Sequence, residues 1–128
     1  SEFLNIKINI NPKFFPPKDP HLPAKFTIAA NLLGAKVVFG HELLKQLWSE
    51  EKDISDEKNI ETLSNSFNID FKELSTLAKS QKVINIYSSN TEEAVKKNIF
   101  GVPTYIFNNE LFWGQDRLEF LERALKNA

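Results

Sequence analysis

The sequence has 128 residues, which suffice for one domain with a substantial core but not for two. Its formal net charge of −1 argues against nucleic acid as the main partner, because a phosphate-binding surface normally carries a basic excess. No apolar run approaches the roughly 20 residues that span a bilayer, so no membrane partner is expected.

The first 22 residues are predicted to form an extended segment followed by a proline-rich loop. Apolar and polar residues alternate over residues 4–10, which is the pattern of a half-buried extended segment. Five prolines between Pro12 and Pro23 then indicate a stiff, irregular loop over residues 11–22. Pro23 is suited to be the first residue of a helix.

Residues 23–98 are predicted to form a helical block. Apolar residues recur at helical spacing over residues 24–33 and again over residues 35–50. The chain contains 11 phenylalanines, which predict that aromatic packing supplies much of the core.

Capping signals predict further helices within this block. Ser55 is a natural N-cap, and Asp70 is another, with Glu73 three residues later completing a capping-box pattern. Residues 81–98 fit either one long helix or two, because the polar stretch 88–90 can interrupt a helix.

The residue pattern changes near Val102, where β-branched and aromatic residues predict a strand over residues 102–107. Asn108-Asn109 suits a tight hairpin turn, and residues 111–113 resume strand character. Apolar residues at helical spacing then predict a final helix over residues 115–126. The predicted order is therefore a helical block, a β-hairpin and a helix.

The first candidate binding element is the Val102-Pro103 dipeptide at the start of this hairpin. If the peptide bond is cis, the proline removes one ladder donor and the backbone N–H and C=O of Val102 face a peptide-like ligand. If the bond is trans, which is the default for bonds to proline, Pro103 merely begins a strand.

The second candidate element is Gly114-Gln115-Asp116 at the start of the last helix. Free backbone N–H groups and the positive end of a helix dipole favour a carboxylate ligand. The acidic side chain of Asp116 can hold an ammonium group at the same time, so an α-amino acid head fits both. The alternative interpretation is that Asp116 is only a favourable first-turn acid.

Taken together, the two elements resemble the kappa-class glutathione transferases and the bacterial 2-hydroxychromene-2-carboxylate isomerases, which are DsbA-like members of the thioredoxin superfamily. A Phe-Gly-Val-Pro-Thr stretch, a short hairpin and a Phe-Trp-Gly-Gln-Asp-Arg-Leu stretch recur near the C-terminus of these enzymes, and residues 99–121 match them. A weaker similarity upstream includes Phe15-Pro16, Trp48 and the stretch 90–94.

This resemblance implies an α/β, thioredoxin-like (DsbA-like) fold with an inserted all-helical domain. Residues 1–22 would be the extended segment and loop, residues 23–98 the inserted helical domain, and residues 99–128 the C-terminal ββα part. The first βαβ unit of the family fold is expected to be absent from this chain, because nothing in residues 1–25 resembles it.

The resemblance further implies a cytoplasmic homodimer that uses glutathione as a cofactor on a small aromatic substrate, by cis–trans isomerisation or by glutathione addition. It assigns the backbone of Val102, beside Pro103, to the cysteinyl part of glutathione. It assigns Gln115 and Asp116 to the γ-glutamyl head.

No catalytic residue and no metal site are predicted within the chain. The family's catalytic serine belongs to the first strand–helix–strand unit, and the chain has no cysteine for dithiol chemistry. His21 and His41, the only histidines, lie too far apart in sequence to indicate a paired metal site. Together with the absence of methionine, these features predict the C-terminal portion of a longer protein, and we expect the isolated chain to be inactive.

Two other functions stay open. The chain could be part of a DsbA-family thiol–disulfide oxidoreductase whose cysteines lie elsewhere, or a non-catalytic interaction module. In any of these cases, a hairpin without neighbouring strands would leave an open apolar edge. Dimerisation, strand exchange, pairing with residues 4–10 or a partner chain would cover that edge.

Overall fold

The computed structural model describes residues 7–128, which form a series of helices, a β-hairpin and a final helix. The helices are α1 (His21–Leu32), α2 (Val38–Glu50), α3 (Glu57–Ser66), α4 (Phe71–Ala78), α5 (Gln81–Lys96) and α6 (Leu118–Lys126). The strands are β1 (Thr104–Phe107) and β2 (Glu110–Trp113), and a one-turn 3-10 helix (Gln115–Arg117) lies between β2 and α6.

The chain divides into two compact units within α5, the first ending at Ser88 and the second beginning at Ser89. The first unit contains α1 to α4 and the start of α5. The second contains the end of α5, the hairpin and α6. Within residues 7–128, no helix is long and apolar enough to cross a membrane.

Aromatic side chains form much of the core of the first unit, as the phenylalanine content predicts. Helix α1 packs against α2 and α4, and α3 packs against the same two helices. The ring of Phe26 stacks on that of Phe71 with centroids 6.1 Å apart, and Phe39 contacts Phe67 at 5.4 Å. Phe26 and Phe39 are almost completely buried. Such ring pairs contribute roughly 0.5–1.5 kcal/mol beyond the burial of their area.

Helix α1 begins at His21, two residues before the predicted start at Pro23. The reason is a cap that the sequence pattern did not reveal: the Oδ1 atom of Asp19 accepts hydrogen bonds from the N–H groups of His21 and Leu22, at 2.8 and 3.2 Å. These two donors have no acceptor within the helix, so the aspartate satisfies them. Pro23 is then tolerated inside the first turn.

The predicted N-cap of α3 was wrong by one residue. Asp56 has extended backbone angles and its carboxylate accepts from the N–H of Lys58 at 2.9 Å, so Asp56 is the cap. The Ser55 hydroxyl is used elsewhere, because it exchanges hydrogen bonds with the backbone N–H and C=O of Asp19, both at 3.2 Å. The proline-rich loop is thereby attached to the start of α3.

Two other expectations about the helices are settled. Residues 81–96 form one helix, so the polar stretch 88–90 does not interrupt it. Helix α2 begins at Val38 rather than at residue 35, because Gly34 and Lys36 have left-handed backbone angles that belong to a turn.

The extended segment predicted over residues 4–10 is not part of the hairpin sheet where the structure describes it. The N–H of Asn9 donates to the C=O of Trp48 at 2.7 Å, and the Ser49 hydroxyl donates to the C=O of Lys7. Residues 7–9 therefore lie alongside the end of α2, within the first unit. Residues 4–6 lie outside the described part of the chain.

Asp70 provides a test of the capping geometry, because its Oδ1 atom accepts from the N–H of Glu73 at 2.8 Å, as predicted from the sequence. We expect Asp70→Ala to lower the free energy of unfolding by about 1 kcal/mol, measured by urea denaturation. Asp70→Asn keeps an acceptor at the same position and should lose much less. An equal loss in both variants would contradict the capping role.

Candidate functional site

The β-hairpin of the second unit has the turn that the sequence predicts. Strands β1 and β2 pair antiparallel, with Thr104 opposite Trp113. Asn108 and Asn109 both have positive φ, 49° and 65°, as a two-residue type I′ turn requires. Strand β1 begins at Thr104, later than predicted, because Pro103 has no N–H to contribute to the ladder.

The peptide bond between Val102 and Pro103 is cis, which is the first of the two alternatives raised by the sequence. The Val102 side chain is 89% exposed. Within residues 7–128, no backbone hydrogen bond outside the helices and strands uses the N–H or the C=O of Val102. Its backbone N–H and C=O are therefore left without such a partner in this part of the chain.

A single hydrogen bond brings the two candidate elements together. The N–H of Gly114 donates to the C=O of Pro103 at 2.9 Å, just beyond the paired residues Thr104 and Trp113. Gly114 has a φ of 102°, in the region that favours glycine, and it turns the chain out of β2. The residues that follow it are thereby held beside the Val102-Pro103 peptide.

The predicted start of the final helix at Gln115 was wrong. Residues Gln115–Arg117 form a 3-10 turn, and α6 begins at Leu118. The backbone N–H groups of Gln115 and Asp116 make no hydrogen bond among residues 7–128. Two free donors are thus present, but they belong to a short turn, and the dipole of α6 begins one turn later.

The carboxylate of Asp116 is folded back toward Gly114 and is accessible to solvent. A Cβ on Gly114 would overlap the Oδ1 atom of Asp116, so only glycine leaves room for this position of the carboxylate. Arg117 is its neighbour, with Nε 3.8 Å from Oδ2, and both side chains are more than half exposed. Such an exposed pair contributes little, so the carboxylate stays available to a cationic group.

An aromatic pair stands next to the cis peptide. The Trp113 indole packs directly against Gly101, where a Cβ would overlap its Nε1 atom. The ring of Phe100 meets the indole edge-on at 4.9 Å, and the two side chains are 76% and 51% exposed. The contact between Gly101 and Trp113 was not predicted from the sequence. The signal that could have indicated it is the position of this glycine directly before a Val-Pro dipeptide.

The second unit exposes many apolar side chains. The sheet formed within residues 7–128 has only β1 and β2, so both strands have a free edge. Large apolar side chains that are more than a third exposed occur on both strands and on α6: Tyr105, Ile106, Leu111, Trp113, Leu118, Phe120 and Leu125. The open apolar edge expected from the sequence is therefore present in the described structure.

Both histidines belong to the first unit. The Nδ1 atom of His21 is 2.8 Å from the hydroxyl of Tyr87, and His41 is exposed on α2. In the described part of the chain, no group of three or more histidine, aspartate or glutamate side chains is placed to hold a metal ion. Phe15 packs on Trp48 at 4.9 Å, also in the first unit.

The contact between Gly101 and Trp113 can be tested by NMR, because the chain has two tryptophans and hence two indole N–H signals. We expect Gly101→Ala to shift the Trp113 indole signal, since the added methyl group needs the space of Nε1. The Trp48 signal serves as an internal control and should not move. An unchanged Trp113 signal would show that the indole does not occupy this position.

Comparison with known proteins identifies relatives of this chain. The DSBA-like thioredoxin domain family matches residues 2–126. Curated 2-hydroxychromene-2-carboxylate isomerases are similar to shorter stretches. That of Pseudomonas sp. (strain C18) is 43% identical over 42 residues, covering 33% of this chain and 20% of the relative. That of Sphingobium xenophagum is 26% identical over 80 residues, covering 62% of this chain and 41% of the relative.

The fold is also shared with a solved structure. A selenomethionine form of 2-hydroxychromene-2-carboxylate isomerase aligns with a TM-score of 0.77 and 22% identity, over 98% of this chain and 60% of that one. The chain thus spans less than half of the length of these curated relatives and about three fifths of the solved structure. Since the family match extends over nearly all of its residues, the chain belongs to the DSBA-like thioredoxin domain family.

Proposed function

We propose that the site formed by Val102, Pro103, Gln115 and Asp116 binds glutathione, and that it serves an isomerase similar to the 2-hydroxychromene-2-carboxylate isomerases. The observation that carries this proposal is the hydrogen bond from Gly114 to Pro103, which holds the two binding elements side by side. The names of the curated relatives and of the solved structure support the same reaction class.

The free backbone groups of the site match the charges of the γ-glutamyl head. Its α-carboxylate would accept from the N–H groups of Gln115 and Asp116, which have no other acceptor in the described chain. Its ammonium group would pair with the exposed Asp116 carboxylate. The cysteinyl part would then exchange hydrogen bonds with Val102, in the manner of an added β-strand.

The chain contributes binding and orientation to the reaction. It has no cysteine, so the reactive thiol would be that of glutathione, which adds reversibly to the double bond of the substrate and permits rotation about it. The exposed rings of Phe100 and Trp113 would pack on a small aromatic substrate. An oxidoreductase could also place a peptide against Val102, but it would leave Asp116 without a role.

A cytoplasmic homodimer is part of the same proposal. The exposed apolar side chains on β1 and β2 support self-association, because apolar faces of this kind usually mark an interaction surface.

Glutathione binding can be measured by following backbone amide signals during a titration of the 128-residue chain. We expect saturable shifts at Val102, Gln115 and Asp116. Asp116→Asn removes the partner of the ammonium group and should raise the dissociation constant about tenfold, as expected for a lost charge-assisted hydrogen bond. Glu119→Gln removes a carboxylate from the first turn of α6 and should leave binding unchanged.

Cysteinylglycine provides a matched ligand, because it lacks the γ-glutamyl head. Its binding should be weak and should not respond to Asp116→Asn. An equal effect of the Asp116 and Glu119 substitutions on glutathione binding would contradict the assignment of the head to Asp116.

The isolated chain is expected to bind glutathione without turning over substrate, because it holds no thiol or assigned nucleophile of its own. The measurement is the isomerisation of 2-hydroxychromene-2-carboxylate, followed by absorbance with and without glutathione. A rate clearly above the uncatalysed rate would show that the chain is catalytically sufficient.

A further inference from the structure

A second cleft, unrelated in its residues to the glutathione site, lies in the first unit between the start of α1, the end of α4 and the start of α5. Its volume is about 210 Å³. Pockets for drug-sized ligands begin at roughly 300 Å³, so this cleft suits a ligand of about one ring. Four of its lining side chains are apolar and three are charged: Leu22, Phe26, Ala78, Ile84, Asp19, Lys25 and Lys79.

Two of the three charged groups are already engaged. The Nζ atom of Lys79 lies 2.9 Å from a carboxylate oxygen of Glu57. The Oδ1 atom of Asp19 accepts the hydrogen bonds that cap α1. Lys25 is half-buried, and among the described residues it forms no ion pair. It is therefore the charged side chain of this cleft that no other described side chain engages.

The walls of the cleft are held in place before any ligand binds. The imidazole of His21, the residue before Leu22 on α1, is 2.8 Å from the Tyr87 hydroxyl on α5, and the two rings meet edge-on at 5.8 Å. On the other side, the Ser55 hydroxyl bonds both backbone groups of Asp19. A site with preset walls loses less conformational entropy on binding.

We propose that this cleft binds a small apolar monocarboxylate. The apolar body of the ligand lies against Phe26, Ala78 and Ile84, and its carboxylate pairs with the ammonium group of Lys25. The Asp19 carboxylate at the same cleft repels a second negative charge, so a dicarboxylate of the same size binds less well.

Benzoate is the probe for this proposal, and the readout is the set of backbone amide signals of the 128-residue chain. We expect saturable shifts at Lys25, Ala78 and Ile84. Lys25→Gln should raise the dissociation constant at least about fivefold, because the charge-assisted bond is lost. Lys58→Gln makes the same charge change at an exposed position on α3 and should have no effect. Amide dispersion shows that each variant is folded.

Related ligands separate charge from shape. Benzamide keeps the ring without the charge and should bind at least about fivefold more weakly than benzoate, with no further loss in Lys25→Gln. Phthalate adds a second carboxylate and should also bind more weakly. Three results would overturn the proposal: no saturable shift in the cleft, equal effects of the two lysine substitutions, or tighter binding of phthalate. None of them depends on whether glutathione binds, because the two sites share no residue.

Discussion

The hydrogen bond from the Gly114 N–H to the Pro103 C=O is the contact on which the candidate site depends. A proline at this position lacks an N–H but keeps its carbonyl, so its pair with Gly114 has one of the two hydrogen bonds that an antiparallel pair can exchange. The pairing continues the register of the hairpin by one step beyond Thr104 and Trp113. The proposed glutathione site depends on this extension, because the extension places the Val102-Pro103 peptide beside the 3-10 turn Gln115–Arg117.

Glycine makes this arrangement possible at two positions, for different reasons. Gly114 supplies a positive φ and the space into which the Asp116 carboxylate folds. Gly101 supplies only space, since the Trp113 indole lies where its side chain would be. The same short segment thus combines an ionic contact site with an aromatic wall. Polar and apolar parts of one small ligand, or of two neighbouring ligands, would each find a matching surface there.

The two units differ in how they bury apolar surface. The first unit has a continuous core of side chains from α1 to α5, together with a loop fastened through Asp19 and Ser55. In the second unit, a two-stranded sheet and one helix leave large apolar side chains exposed. An isolated hairpin of this size is marginally stable, so a further surface covering it would contribute strongly to its stability. Residues 7–9 form no strand of this sheet, and they bond to the end of α2.

Short-range signals in the sequence were sufficient for the hairpin turn at Asn108-Asn109, the cap at Asp70 and the family resemblance of residues 99–121. These depend on neighbouring residues, which interact in the same way in any tertiary context. Where two neighbouring residues suit the same role, only the tertiary structure determines which of them takes it. Ser55 and Asp56 are both good caps, and the contact with Asp19 selects between them. The cleft lined by Lys25 could not be predicted from the sequence either. Its walls come from helices more than 50 residues apart, and only packing brings them together.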